Sequence, residues 1–163
     1  YEVIQNNAKK KDEAYYTNTK QTFTYDADAG TVTATYGDAT AKAHADTLFT
    51  ADDEDNGLGT EGEVKVEGLK TVKIRNIKAR AAEILAGTDW YIIRKADAGT
   101  AVPSAITTHR AAVRTKAAAQ ETQITNASDT PAIETLYTYV NTADEGDPVV
   151  MERPLGELPT LES

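Results

Sequence analysis

The residues best spaced for chemistry lie in one acidic run, Asp52-Asp53-Glu54-Asp55-Asn56-Gly57-Leu58-Gly59-Thr60-Glu61-Gly62-Glu63. Laid over the calcium loop of helix–loop–helix proteins, Asp52, Glu54, Asn56, Thr60 and Glu63 take oxygen-ligand positions and Gly57 takes the sharp turn. Two features pull the other way. Glu54 is longer than the Asp, Asn or Ser preferred at its place, and Gly59 stands where an aliphatic residue is usual. The flanks read as strands, not helices. The run is therefore expected to be a solvated acidic loop, and no cofactor is expected. Asp52, Glu54, Asn56 and Glu63 are kept as a weak calcium-ligand set.

Other chemistry has less footing. The chain holds no Cys, which excludes disulfides, thiolate nucleophiles and zinc–thiolate sites. His44 falls in a strand candidate and His109 beside Arg110 in a helix, neither with an acidic partner at zinc-ligand spacing. Ser104 and Ser128 stand where helices begin, and no Gly-rich phosphate loop is present. The expectation is a protein that is not an enzyme and acts by binding.

Net charge is −9, from 26 acidic and 17 basic residues. Phosphate neutralisation needs surplus Lys and Arg, so a general nucleic-acid binder is not expected. One basic strip stands out: Lys65, Lys70, Lys73, Arg75, Lys78 and Arg80. No aromatic residues interleave with it to stack bases. It reads as a solvated helix face or as a docking strip for an acidic neighbour. The apolar stretches are too short to span a bilayer, and no secretory signal is visible. The chain begins at Tyr1 without an initiator Met, as a processed or excised segment would.

The elements that would position these groups follow from periodicity. Residues 1–20 are polar, carry Lys9-Lys10-Lys11 and Tyr15-Tyr16, and read as an N-terminal arm. Residues 21–70 read as a β-rich domain. In its hairpin Phe23 and Tyr25 alternate with Thr22 and Thr24, and Val32, Ala34 and Tyr36 alternate with Thr31, Thr33 and Thr35, around a turn ending in Gly30. A hairpin alone is marginal. Segment 43–50 is the expected third strand and 64–69 the expected fourth.

Residues 71–141 read as helical. Ile74, Ile77, Ala81, Ile84 and Leu85 share one face, and Gly87 suits a left-handed cap. Trp90-Tyr91-Ile92-Ile93 reads as a short extended anchor, with Trp90 wedged in the core. Pro103-Ser104 opens the longest helix, with Ile106, Arg110, Val113, Ala117, Gln120 and Ile124 on one face and Asn126 at its end. Ser128-Asp129-Thr130-Pro131 starts another helix, with Ala132, Ile133, Leu136, Tyr137 and Val140 as its stripe. A linker this short predicts an antiparallel helical hairpin from the last two helices. Residues 142–163 are acidic, then Pro-containing, and read as an extended tail. The fold class is thus α+β: a small antiparallel β-sheet followed by a helical hairpin within a three-helix region.

Part of this helical segment carries a resemblance. Ala81-Ala82-Glu83-Ile84-Leu85-Ala86-Gly87-Thr88-Asp89-Trp90-Tyr91, then Arg94-Lys95, then Thr107-Thr108-His109-Arg110-Ala111-Ala112-Val113-Arg114, resembles the phage tail assembly chaperone-like domain found at the ends of tail-fibre and other virion proteins. The resemblance covers roughly residues 72–140. The family commonly has Tyr at the place of His109 and ends its second helix soon after. Here the helix runs on and another follows, which suits a permanent particle component.

The resemblance implies a structural component of a bacteriophage virion, in the tail, baseplate or fibre region, assembled in the host cytoplasm. A transient tail-fibre assembly chaperone and a capsid decoration protein are the alternatives. Partners are then other phage structural proteins or a second copy of the chain, as a homo-oligomer, with neither nucleic acid nor membrane. The residues expected to face a partner are Lys73, Lys78, Arg80, Trp90, Arg110, Arg114, Leu136 and Tyr137.

Overall fold

Thr alternating with aromatic and aliphatic residues favours extended backbone, because branched and ring side chains pack on a pleated surface. The computed structural model, which describes residues 1–161, bears this out and yields an α+β fold. The last two residues of the expected tail, Glu162 and Ser163, lie outside the described residues.

The segment read as an arm instead supplies strand β1 (Glu2–Asn6) and the short strand β2 (Tyr16–Thr17). The expected hairpin is β3 (Gln21–Asp26) with β4 (Thr31–Tyr36), antiparallel, with Phe23 opposite Ala34. Its turn is held by the Asp26 carboxylate, which accepts from the Asp28 and Ala29 amides, and by Gly30 at φ 66°. The third strand of this sheet is β1, running parallel to β4, so the order is β1-β4-β3 and the sheet is mixed.

Segment 43–50, expected as the third strand, does not join that sheet. Strand β5 (Thr40–Ala41) pairs with β2. Strand β6 (Thr47–Leu48) pairs with β7 (Val64–Val66), across the acidic loop that holds the short helix α1 (Ala51–Asp55). Gly68 then lies so close to the Ala45 carbonyl that a Cβ there would overlap it.

The principal helix pair is α2 (Leu69–Ala86) with α4 (Ser104–Asn126), joined through α3 (Asp89–Ala98). The pair is antiparallel: Lys70 reaches the Thr125 carbonyl, Lys78 reaches Glu121 and Arg110 reaches the Leu85 carbonyl. The apolar stripe foreseen on the longest helix is the one buried: Ile106, Arg110, Val113, Ala117, Gln120 and Ile124. Helix α5 (Thr130–Tyr137) is capped as expected, with the Asp129 carboxylate accepting from the Ala132 amide at 2.8 Å. Its eight residues are too few to cover the 23 of α4, so α2 rather than α5 is the long partner of α4.

The chain closes with a small hairpin, β8 (Val140–Asn141) and β9 (Met151–Glu152). The tail is not free. Leu155 is buried, its amide donates to the Leu136 carbonyl at 3.0 Å, and Gln120 donates to the Gly156 carbonyl at 2.9 Å.

Two apolar clusters result. One gathers Ile77, Ala81, Val113, Ala117, Ile124 and Leu155. The other gathers Tyr15, Tyr16, Leu69, Ala127 and Ile133. Leu136 and Tyr137 pack against both. Ile124 and Leu155 expose 0% and 1% of their surface. Truncating either to Ala leaves a cavity in close-packed surroundings, and each change is expected to cost about 2–5 kcal/mol in urea unfolding. An L155A protein as stable as the wild type would show that the C-terminal segment lies outside the core.

Candidate functional site

An arginine that is always charged has to be paired with hydrogen-bond acceptors when it is buried. Arg110, expected to face a partner, is instead buried at the corner between α2 and α3. Its Nη1 donates to the Leu85 carbonyl at 2.8 Å and to the Thr88 hydroxyl at 2.6 Å, and its Nη2 lies 2.8 Å from the Asp89 carboxylate. The guanidinium thus adds to a carbonyl at the end of α2 that also accepts from the Thr88 amide and hydroxyl, each at 3.0 Å. Gly87 adopts right-handed backbone, φ −59° and ψ −17°, so the left-handed cap expected there is absent. Asp89 then sits in the first turn of α3, where a carboxylate is favourable, and Trp90 to Ile93 are helical rather than extended. The residues carrying the sequence resemblance, Thr88, Asp89 and Arg110, are therefore in contact.

Trp90 is not a core wedge. It is 50% exposed, its ring lies 3.9 Å from that of Tyr91 between centroids, and the Arg94 guanidinium stands 4.7 Å over it. Helix α3 buries no residue, so its Trp90 and Ile93 are open to solvent. Arg114 is exposed on α4.

The basic strip is largely engaged within the chain. Lys65 pairs with Asp53, Arg75 with Glu67, Lys78 with Glu121 and Arg80 with Glu83. Lys70 donates to the Thr125 carbonyl. It is not a bare docking strip, because five of its six cations have an acceptor in their own chain and the sixth, Lys73, lies over two tyrosine rings. The acidic loop behaves likewise. Thr50 and Asp53 form a reciprocal cap on α1, Glu54 accepts from the Glu61 amide at 2.9 Å, and Asn56 donates to the Asp52 carbonyl. Among the described residues no three His, Cys, Asp or Glu side chains are gathered to hold a metal ion, so Asp52, Glu54, Asn56 and Glu63 do not form the calcium set.

Lys73, Leu136 and Tyr137 belong to a seam of tyrosines and cations. The Lys73 ammonium lies 4.6 Å from the Tyr15 ring centre and 4.5 Å from that of Tyr137, and Arg153 lies over Tyr137 and Tyr139. Tyr16 donates to Glu134 at 2.9 Å. Such stacks need close, partly dry surroundings. Burial pushes the Tyr15 hydroxyl up to about 12, helped by nearby Tyr137, Asp12 and Glu134. Burial likewise raises Tyr137 and lowers Lys73. These groups seal the joint between the two clusters; they are not a free surface. Tyr15 and Tyr16 were missed as core residues because the surrounding segment is polar. Their adjacency to each other was the signal.

The open surface lies elsewhere, on the β1-β4-β3 sheet. Opposite residues share a face, which puts Val3, Gln5, Val32, Ala34, Tyr36, Gln21, Phe23 and Tyr25 on one side. The Gln21 amide donates to the Gln5 amide oxygen at 2.7 Å across β4, and Tyr1 meets Tyr25 edge-on at 5.2 Å between ring centres. Ala34 is buried beneath this layer, yet Phe23, Val3 and Tyr25 remain 68%, 59% and 54% exposed. The chain as a whole exposes 10947 Å². A compact monomer of 17.5 kDa exposes about 7,900 Å².

Against known proteins, the chain matches no family model, no curated sequence and no solved structure. A groove of about 360 Å³ between α2, α4 and the C-terminal segment is lined by Ile77, Arg80, Ile84, Gln120, Arg153 and Leu158, among others. Both of its arginines are paired with glutamates, Glu83 and Glu157. No helix is long and apolar enough to cross a membrane among the described residues.

Two predictions follow from the corner and the seam. Arg110→Lys loses the fork that serves Leu85, Thr88 and Asp89, and is expected to cost about 1.5–3 kcal/mol in urea unfolding. The same change at exposed Arg114 should stay within about 0.5 kcal/mol; equal effects at both sites would contradict the clamp. Tyr15 ionises near 10.0 when unfolded and near 12 when folded. Between those values the unfolded chain binds fewer protons, so stability falls as pH rises through that window. Lys73 acts in the opposite sense. Tyr15→Phe should therefore flatten the alkaline fall measured by thermal melts, and an unchanged slope would show that Tyr15 is not held neutral.

Proposed function

We propose that this chain is a non-enzymatic structural subunit of a bacteriophage virion, in the tail, baseplate or fibre-attachment region, acting through protein–protein contacts. One observation carries the subunit reading. The chain exposes 10947 Å², about 3,000 Å² more than a compact monomer of its mass. That surplus exceeds the roughly 800 Å² that each partner buries in a standard protein interface. Part of it is a contiguous aromatic and aliphatic sheet face, the kind of patch that marks an interaction site. Helix α3 adds Trp90, Tyr91 and Arg94, residue types that concentrate binding energy at interfaces.

The phage assignment rests on the resemblance across residues 72–140. What supports it is that Thr88, Asp89 and Arg110, taken from separate parts of the motif, form one hydrogen-bonded corner. A motif built around a structural corner suits a part of an assembly better than a site of turnover.

The test is quantitative proteomics of purified particles and of assembly intermediates from the phage encoding this chain. A fixed copy number in finished particles is expected. Presence in intermediates alone would replace the permanent subunit with a transient assembly chaperone. Absence from both would overturn the proposal.

A further inference from the structure

Strand β3 is an outer strand of its sheet, and among the described residues its free edge meets no other strand. Native proteins blunt such edges with Pro, bulges or inward-pointing charges. Here the six residues Gln21–Asp26 contain no Pro, and their only charge is Asp26 at the far end, with Lys20 standing just before Gln21. The pairing with β4 is regular from Gln21 through Asp26. An edge this regular is a template for one more strand.

We infer that this strand is a second copy of β3, paired antiparallel about a two-fold axis through Phe23. The inference rests on the reading of the chain as a subunit whose bare surface neighbours cover, and it names one neighbour. Three considerations select this register. A shift by one residue would place aromatic residues against the Thr face, because side chains alternate. Centring on Phe23 sets Phe23 beside its symmetry mate and Gln21 beside Tyr25 on the apolar face, with Thr22 beside Thr24 on the other. It also sets Lys20 of each copy opposite Asp26 of the other, on the Thr face at both ends of the ribbon. Centring on Thr22 loses both ion pairs, and centring on Thr24 exchanges them for Lys20 against Asp28, which lies in the turn beyond the strand. Lys20 is exposed and makes no ion pair among the described residues. Isologous contacts of this kind are the commonest route to a closed dimer.

The resulting six-stranded sheet joins two aromatic faces into one. It pairs the outer edge of β3, packs Phe23 against its counterpart and sets Tyr25 beside Gln21 of the other copy. With a net charge of −9 on each copy, long-range repulsion opposes association, so the local Lys20–Asp26 pairs set the register rather than supply the bulk of the affinity.

The experiment is sedimentation equilibrium on the full chain, on K20E, on D26K and on an equal mixture of the two variants. The wild type should be dimeric. Each single variant places like charges opposite one another at both ends and should weaken the dimer about tenfold or more. The mixture should dimerise again, because the introduced carboxylate of one chain then faces the introduced ammonium of the other. Asp26 also holds the hairpin turn, so restoration in the mixture shows that D26K is folded. The chain has no Cys of its own, so F23C should form a disulfide-linked dimer readily and T22C should not.

A wild type that stays monomeric, a dimer indifferent to K20E, or equal cross-linking of F23C and T22C would each overturn the inference. A monomer found in purified particles sinks the strand pairing and leaves the subunit reading standing. A K20E-sensitive dimer absent from every particle does the reverse.

Discussion

Two apolar clusters share one turn of α5. Leu136 and Tyr137 reach the α2–α4 interface on one side and the pocket around Tyr15, Tyr16 and Ile133 on the other. Neither cluster is large, and small cores sit close to the margin of stability. What makes them one body is that the same side chains serve both, with Lys73 and Arg153 laid over the Tyr137 ring to close the seam. The helix carrying this joint has only eight residues. Its start is therefore held twice, by the Asp129 cap and by buried Thr130, whose hydroxyl donates to the Lys42 carbonyl at 2.6 Å.

From this joint outward the protein is built in descending order of burial. The α2–α4 pair holds most of the buried side chains, and is fastened at one end by Arg110, at the other by Lys70 and between them by Lys78. The α2 start borrows its cap from a distance: Gly68 has no side chain to offer, so the Asp46 carboxylate accepts from its amide at 2.6 Å and from the Thr71 hydroxyl at 2.8 Å. Those bonds hold Asp46 below its ordinary carboxylate value. Farthest out lies the three-stranded sheet, where hydrogen bonds between strands supply order and little apolar surface is covered. The proposed contact surface lies on the part that the fold itself protects least.

Local chemistry was the legible part of the sequence. The hairpin turn at Gly30, the buried stripe from Ile106 to Ile124, the end at Asn126 and the Asp129–Pro131 start all follow from short-range rules of turns, caps and periodicity. What was not legible depended on partners far along the chain. The β1 strand reads as polar because both of its faces are largely wet, and nothing in Glu2-Val3-Ile4-Gln5-Asn6 announces a parallel neighbour at Thr31–Tyr36. Gly87 looks like a left-handed cap until Arg110, 25 residues beyond Leu85, donates to the Leu85 carbonyl. The same guanidinium was mistaken for a binding group. A charged residue on an apolar helical stripe was the clue, since Arg110 shares its face with Val113 and Ala117. The docking reading of the cationic strip weakens for a related reason: Asp53, Glu67 and Glu121 lie on other elements, invisible to a reading along one helix, while Glu83 shares the helix of its partner Arg80.

The long reach of the second cluster has a consequence for how the protein is made. Tyr16 bonds to Glu134, 118 positions later, and Leu155 fills the first cluster from beyond α5. A ribosome releases the chain from its N-terminus, so the second cluster cannot close until Ile133 has emerged, nor the first until Leu155 has. Folding dominated by such distant contacts is slow to start. Until then the nascent polypeptide holds its two core tyrosines in water, and the emergence of the stretch from Thr130 to Leu155 lets both clusters condense together.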